Sequence, residues 1–199
     1  KFILDGTDPA YDWHGWIPAD QNPTVKNPAR GFVSSANQSS TDQSYPYYIN
    51  WEFSPYERGK RINDRLAAMN KATADSIRLM QTDNYSIMAQ NLLPAIVPMV
   101  NVDQLNATQK EALSYVTKWN KRYDAGQIAA SIFEIWTKRL TFNIWNDEFA
   151  VDGVPMRYPS RDRTVEMILK EPNSKWYDNI KTAKPETLSD LINESFKFS

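Results

Sequence analysis

The chain has 199 residues, a formal net charge of −1, one histidine and no cysteine. That length suits one ordinary domain with a buried core, and the balanced charge excludes the one-sided basic field that non-specific nucleic-acid binding needs. The missing residue types exclude disulfides, thiolate nucleophiles and two-histidine zinc sites, and no run of about 18 apolar residues exists to span a membrane.

Six of the twelve prolines lie within the first 55 residues. Proline loses a hydrogen bond inside a helix or a central strand, so residues 1–54 are expected to form an extended, loop-rich arm. The Lys1–Asp5 opening turns polar too quickly for a signal peptide. Within the arm, Arg30-Gly31-Phe32-Val33-Ser34-Ser35-Ala36-Asn37 reads as one short strand. Its small side chains would let another backbone or a ligand come close. Thr41-Asp42-Gln43-Ser44 follows as a polar turn.

After Pro55 the apolar period changes from two to 3.6. Tyr56–Met69 places Ile62, Leu66 and Met69 on one face. Thr73 caps the next helix, with Ser76 where a capping box ideally has an acid, so the box is expected to be incomplete. That helix carries Ile77 and Met80 and continues through Tyr85–Leu93, until Pro94 and Pro98 bend or end it. A third helix starts at Asn106 or Thr108 and ends near Tyr123. A fourth runs from about Ile128 to Phe149, and shorter ones are expected at Arg161–Lys170 and Thr187–Phe198. The expected fold is therefore mainly α: a helical domain over 55–199 behind a Pro-rich extended arm over 1–54, with one or two short strands.

The familiar chemical constellations are missing from the sequence. There is no Gly-rich phosphate loop and no Gly-x-Ser-x-Gly elbow. His14 has no acid–base partner nearby in sequence and reads as structural or surface. Asp8, Asp12 and Asp20 lack calcium-loop spacing and read as turn residues. Arg58, Lys60, Arg61 and Arg65 are balanced by Glu52, Glu57 and Asp64, which suits a solvated helix face. Asp147 and Glu148 are adjacent on a helix and expected to point apart, which makes them poor glycosidase candidates.

Read in order, Asp5-Gly6-Thr7, Asp12-Trp13-His14-Gly15-Trp16-Ile17-Pro18, Asn22-Pro23, Asn27-Pro28 and Gly31-Phe32-Val33-Ser34-Ser35-Ala36-Asn37-Gln38 form a series. Tyr45-Pro46-Tyr47 and Tyr56-Glu57-Arg58-Gly59-Lys60-Arg61-Ile62 extend it. The series resembles the large catalytic subunit of the penicillin acylase (penicillin amidase) family of N-terminal-nucleophile hydrolases. The likeness continues through Met80-Gln81-Thr82-Asp83, Leu92-Leu93-Pro94 and Trp119-Asn120 to about Trp136, or two thirds of the chain.

The resemblance implies a fragment of an αββα Ntn-hydrolase fold, with residues 1–54 belonging to its core. It implies hydrolysis of an N-acyl amide through an acyl-enzyme on a serine whose own α-amine is the base. An α-amino pKa of about 7.7–8.0 makes that workable without histidine. No serine here is followed by asparagine and the chain opens with Lys1, so the nucleophile is expected upstream and this segment alone is expected to be inactive. By residue order Asn37 matches the family's oxyanion-holding amide, where the local alternative is a turn cap before Ser39. Arg58 matches an arginine that keeps the reacting amine unprotonated, where the local alternative is a surface pair with Glu57 or Asp64. Substrate-binding residues are left unassigned. Many members hold a structural calcium, but Tyr47-Tyr48-Ile49-Asn50 supplies no carboxylate, so no metal or cofactor is assigned to this segment and a calcium is left to the complete enzyme. The implied partners are the small subunit, the rest of the large subunit and a small N-acyl amide, with no nucleic acid. The implied location is periplasmic or secreted. The competing reading is a non-catalytic helical ligand-binding module of acylase ancestry.

Overall fold

Pro55 marks the point at which the backbone changes character. The structure, a computed structural model of the chain, describes residues 3–50, 53–151 and 154–198. Its contacts divide the chain into two units, Lys1–Ser54 and Pro55–Ser199. Helices account for 53% of the residues, so the mainly α expectation holds.

In the second unit, α1 spans Glu57–Ala67. Helix α2, Ala74–Gln81, opens on a capping box that proves complete. The Ser76 amide donates to Thr73 Oγ1 at 3.1 Å, and the Thr73 amide donates to Ser76 Oγ at 2.8 Å. A serine hydroxyl thus does the reciprocal work expected of a carboxylate. The helix does not continue through Tyr85. The chain turns after Gln81, and α3, Ile87–Ile96, starts afresh on a Ser86 cap whose hydroxyl accepts from the Ala89 amide at 3.0 Å. In the intervening turn Tyr85 pairs antiparallel with Arg122, which holds the backbone out of helical geometry. Pro94 lies inside α3, and a 3₁₀ turn over Val97–Met99 ends the run at Pro98.

Helix α4, Ala107–Lys118, has a full capping box between Asn106 and Gln109. It stops short of the expected Tyr123 because Trp119 adopts extended backbone and buries its ring. The indole N–H donates to the Arg122 carbonyl at 2.9 Å, so the turn closes on its own side chain.

Helix α5, Ile128–Phe149, buries residues on several faces and forms the axis of the unit. Its 22 residues make it about 33 Å long, and it leaves one exposed stripe through Ser131, Ile135, Lys138 and Phe142 while burying the remaining faces. Helices α4, α6 (Arg161–Lys170) and α7 (Leu188–Phe198) pack on it. Trp136 is fully buried edge-on to Phe196, with ring centroids 4.7 Å apart, and its N–H donates to the Ile192 carbonyl at 3.3 Å. Trp145 donates to Thr164 Oγ1 at 2.9 Å, which satisfies both polar atoms within the core.

The described strands are β1 (Ala150–Val151) and β2 (Val154–Pro155), an antiparallel hairpin in which Ala150 faces Pro155 and Val151 faces Val154. The strand expected over Arg30–Asn37 is not formed. Residues 32–35 have no assigned secondary structure, and among the described residues no strand of the first unit supplies the ladder a strand requires.

The first unit is held by local bonds. Asp8 accepts from the Ala10 amide and opens a short 3₁₀ turn over Pro9–Tyr11. Asp42 accepts from both the amide and the hydroxyl of Ser44, which keeps its carboxyl below the usual carboxylate range. These are the turn roles expected of such residues. Two longer reaches tie the unit together: the Tyr45 hydroxyl donates to the Gln21 carbonyl at 2.9 Å, and the Tyr47 hydroxyl donates to Gln21 Oε1 at 2.6 Å. Among its described residues only Ala36 is buried.

Candidate functional site

Asn37 stands at the end of the extended 32–35 stretch, with a positive φ of 61°. Asparagine tolerates that left-handed conformation better than most residues, because its short polar side chain bonds locally. The Asn37 carbonyl accepts from the Ser54 amide at 3.0 Å, which fixes the backbone while the residue itself stays exposed. The local turn is tied by its neighbour: the Ala36 amide donates to Gln38 Oε1 at 2.7 Å. Beside this turn lies a cleft of about 750 Å³ whose lining includes Arg30, Ser34, Ser35, Gln38, Asp42 and Tyr45. The small side chains picked out in the sequence therefore border open space. Arg30 lies over the Phe32 ring at 4.8 Å and donates from Nε to the Phe32 carbonyl at 3.0 Å, which orients one wall. His14, between Trp13 and Gly15, is exposed, and Trp13 and Trp16 are each 98% exposed.

Arg58 is the second residue of α1, in the second unit, and is exposed. Its place in the first turn of that helix matches the position expected from the sequence. The rest of the basic cluster departs from a simple solvated face. Lys60 pairs with Asp64 at 2.8 Å in the open, as such a face would. Arg61 and Arg65 instead turn onto Asp83, whose side chain is only 6% exposed, at 2.7 and 3.5 Å. Arg122 reaches the same carboxylate at 3.1 Å. Burial works against the Asp83 charge, but the bonds from Arg61 and the Tyr85 amide, with the charges of Arg61 and Arg122, outweigh it and hold the carboxyl below the usual range. Glu52, another member of the expected face, lies outside the described residues.

Sequence reasoning missed Asp83 as a junction because its three arginines come from positions 61, 65 and 122, which only folding brings together. It also missed a second junction, where the Tyr123 hydroxyl donates to Glu134 Oε1 at 2.5 Å and Arg161 bonds Oε2 at 2.6 Å. Burial and the Glu134 carboxylate push the Tyr123 hydroxyl well above its ordinary range. At the end of α5 Asp147 is buried and its Oδ2 accepts from the Ile180 amide at 2.8 Å, while burial and the neighbouring Asp147 push the half-buried Glu148 carboxyl up to about 7.

The Tyr47–Asn50 stretch carries no carboxylate, and among the described residues no three His, Cys, Asp or Glu side chains converge to hold a metal ion. No helix of the described residues is long and apolar enough to cross a membrane.

Comparison with known proteins extends the sequence likeness. The chain is 29% identical over 138 residues to the penicillin acylase 2 proenzyme of Pseudomonas sp. (strain SE83), covering 69% of this chain and 18% of that protein. It is 23% identical over 210 residues to acyl-homoserine lactone acylase QuiP of Pseudomonas fluorescens strain Pf-5, covering 96% of this chain and 26% of that protein. The QuiP of strain Pf0-1 is 24% identical over 163 residues, covering 75% and 20% respectively. The chain thus spans roughly a fifth to a quarter of the length of these relatives. The family profile described as Penicillin amidase matches residues 1–198, well past the Trp136 at which motifs become hard to read. On that match, which takes in both units and every helix described above, the chain belongs to the penicillin amidase family.

Proposed function

We propose that the chain is a segment of the large subunit of an N-terminal-nucleophile amidohydrolase that cleaves an N-acyl amide. A serine supplied from outside this segment would attack the amide carbonyl, with its own α-amine taking the hydroxyl proton. The amine of the substrate would leave with that proton, and water would then release the acyl group from the serine ester. The observation that carries this reading is Asn37: an exposed residue at a left-handed backbone position, its backbone carbonyl bonded by the Ser54 amide, next to Ser35 and Gln38 of the cleft lining. A donor fixed before the reaction stabilises the oxyanion without reorganisation, and losing one such donor costs about 2.7–4 kcal/mol. Arg58, at the first turn of α1, is assigned to keeping the neighbouring amine unprotonated by its fixed positive charge.

The exposure of the first unit supports the same reading. With Trp13 and Trp16 98% exposed and Ala36 alone buried among its described residues, the arm has little core of its own. The partners that would cover it are the rest of the large subunit and the small subunit, and any calcium belongs with that complete enzyme. A location in the periplasm or outside the cell goes with this assignment. The relatives named for penicillin and for acyl-homoserine lactones point to substrates in which a small amine carries an acyl chain. The acyl pocket is assigned to residues outside this segment.

The test is Asn37→Ala in the complete enzyme, assayed on phenylacetyl, fatty-acyl and glutaryl amides. Turnover should fall about 10²–10³-fold, and the isolated 199-residue chain should show none. Hydrolysis untouched by the change, together with saturable binding of an acyl compound, would establish a non-catalytic binding module instead.

A further inference from the structure

We propose that Asp83 is a positioning residue: by gripping Arg61 and Arg65 it sets the rotation and position of α1, and so the place to which the Arg58 guanidinium is delivered. The inference rests on the amine-tuning role assigned to Arg58 above. Little else holds α1. Gly59 is its fully buried residue, while Ile62 and Leu66 are half-buried. Tyr56, at its N-cap, makes no capping bond with its side chain, and its hydroxyl accepts from Asn91 Nδ2 at 3.0 Å. Arg58, Arg61 and Arg65 follow one another at spacings of three and four, so they share one flank of the helix. Two of the three are committed to Asp83. Arg61 places Nε at 2.9 Å and Nη2 at 2.7 Å from Oδ2, with its guanidinium 4.4 Å from the centre of the Tyr85 ring. Arg65 Nε lies 3.5 Å from the same oxygen. Grips one helical turn apart fix both the rotation of a helix about its axis and its position along it, which a single contact does not.

The carboxylate is itself anchored away from α1. Its Oδ1 accepts from the Tyr85 amide at 3.2 Å and from Arg122 Nη1 at 3.1 Å. The turn that carries it is bonded to the turn after α4: the Ser86 amide donates to the Lys121 carbonyl at 2.8 Å, and the Tyr123 amide donates to the Asn84 carbonyl at 3.2 Å. The buried Trp119 indole closes that second turn on the Arg122 carbonyl. Asp83 therefore belongs to the core side of the contact, and α1 takes its place from it. The charged groups that meet here are Arg61 and Arg65 from α1 and Arg122 from the opposite turn, with Asp124 3.6 Å from Arg122 Nε. Without the Asp83 charge three guanidiniums converge and repel one another, and α1 shifts with Arg58 on it.

The test is made in the complete enzyme, on the acid limb of kcat/KM, which reports the pKa of the attacking amine. Arg58→Ala should move that limb to higher pH, because a positive charge that disfavours protonation is gone. Asp83→Asn removes a negative charge, which by field alone would move the limb to lower pH. Displacement of Arg58 should instead move it upward, by about half a unit or more. Asp83→Glu keeps the net charge and lengthens the grip by one methylene, so it should move the limb the same way by less, and it serves where the asparagine variant does not fold. In the double variant of Arg58→Ala with Asp83→Asn, the second change should add no further upward shift. Amide exchange across Arg61–Leu66, followed by mass spectrometry, should be about tenfold faster or more in the Asp83 variants while α5 keeps its protection. A limb that stays or falls in both Asp83 variants, while Arg58→Ala raises it, overturns the positioning role and leaves that of Arg58 standing. A limb unmoved by Arg58→Ala overturns the amine-tuning reading, and this inference with it.

Discussion

The two units of this chain solve the problem of order in opposite ways. The second buries a continuous core from Ala89 on α3 to Phe196 on α7, wrapped around α5. The first relies on Asx turns, two tyrosine bonds to Gln21 and a backbone pin at Asn37. Local bonds of that kind each contribute only about 1 kcal/mol, against an ordering cost of similar size per residue. The contrast is one of burial: the helical unit is ordered from its interior, the arm by bonds at its surface.

The largest expected effect tests that contrast on two tryptophans. Trp136→Ala should lower the unfolding free energy by about 3–5 kcal/mol, because it empties a fully buried site and removes the indole donor from the Ile192 carbonyl. Trp13→Ala should change it by less than about 0.5 kcal/mol in the same chain. Denaturant unfolding of both variants measures this, and equal losses would break the distinction between the units.

Next in size is the arm's assigned role. Asn37→Gly removes the amide but suits the positive φ better than alanine does. In the complete enzyme it should lose about as much turnover as Asn37→Ala, roughly 10²-fold or more, with the stability of the helical unit unchanged. Activity kept by glycine but lost by alanine would mean the position works through its backbone shape.

A smaller effect sharpens the picture of the helical unit. Asp83→Asn should cost about 2 kcal/mol near neutrality, since Arg61, Arg65 and Arg122 lose a shared, buried carboxylate. Because its folded value is lowered, the contribution of Asp83 is present above the ordinary 3.8 and is lost as pH falls through that lower value. Unfolding midpoints of wild type and Asp83→Asn should therefore converge in strong acid. Smallest is Thr73→Ala, expected to cost about 1 kcal/mol through the lost α2 cap and to leave the arm untouched.

Much of the helical unit was readable in advance. Helix α5 and α6 begin and end at the residues their apolar spacing indicates, and α4 starts on the Asn106 cap. Such features depend on neighbours within a few positions, which a single chain displays directly. The misses have different causes. The break before α3 was set by the distant pairing of Tyr85 with Arg122, the early end of α4 by Trp119 folding onto the Arg122 carbonyl, and residues 32–35 make no strand because no described strand pairs with them. In the candidate site, Asn37 and Arg58 were picked from the order of motifs, while the left-handed backbone at Asn37 and its anchor to Ser54 were not visible there.

Sequence alone determined the spans of α5 and α6, the cap positions at Thr73 and Asn106, the proline-rich composition of the arm and the family, because residue type and spacing act locally and motif order survives without coordinates. Tertiary structure alone decided which charges meet. Asp83 gathers three arginines from two places in the chain, and the buried Asp147 carboxyl is brought onto the Ile180 amide. Electrostatic consequences depend on distance and burial, and neither is written in the order of residues.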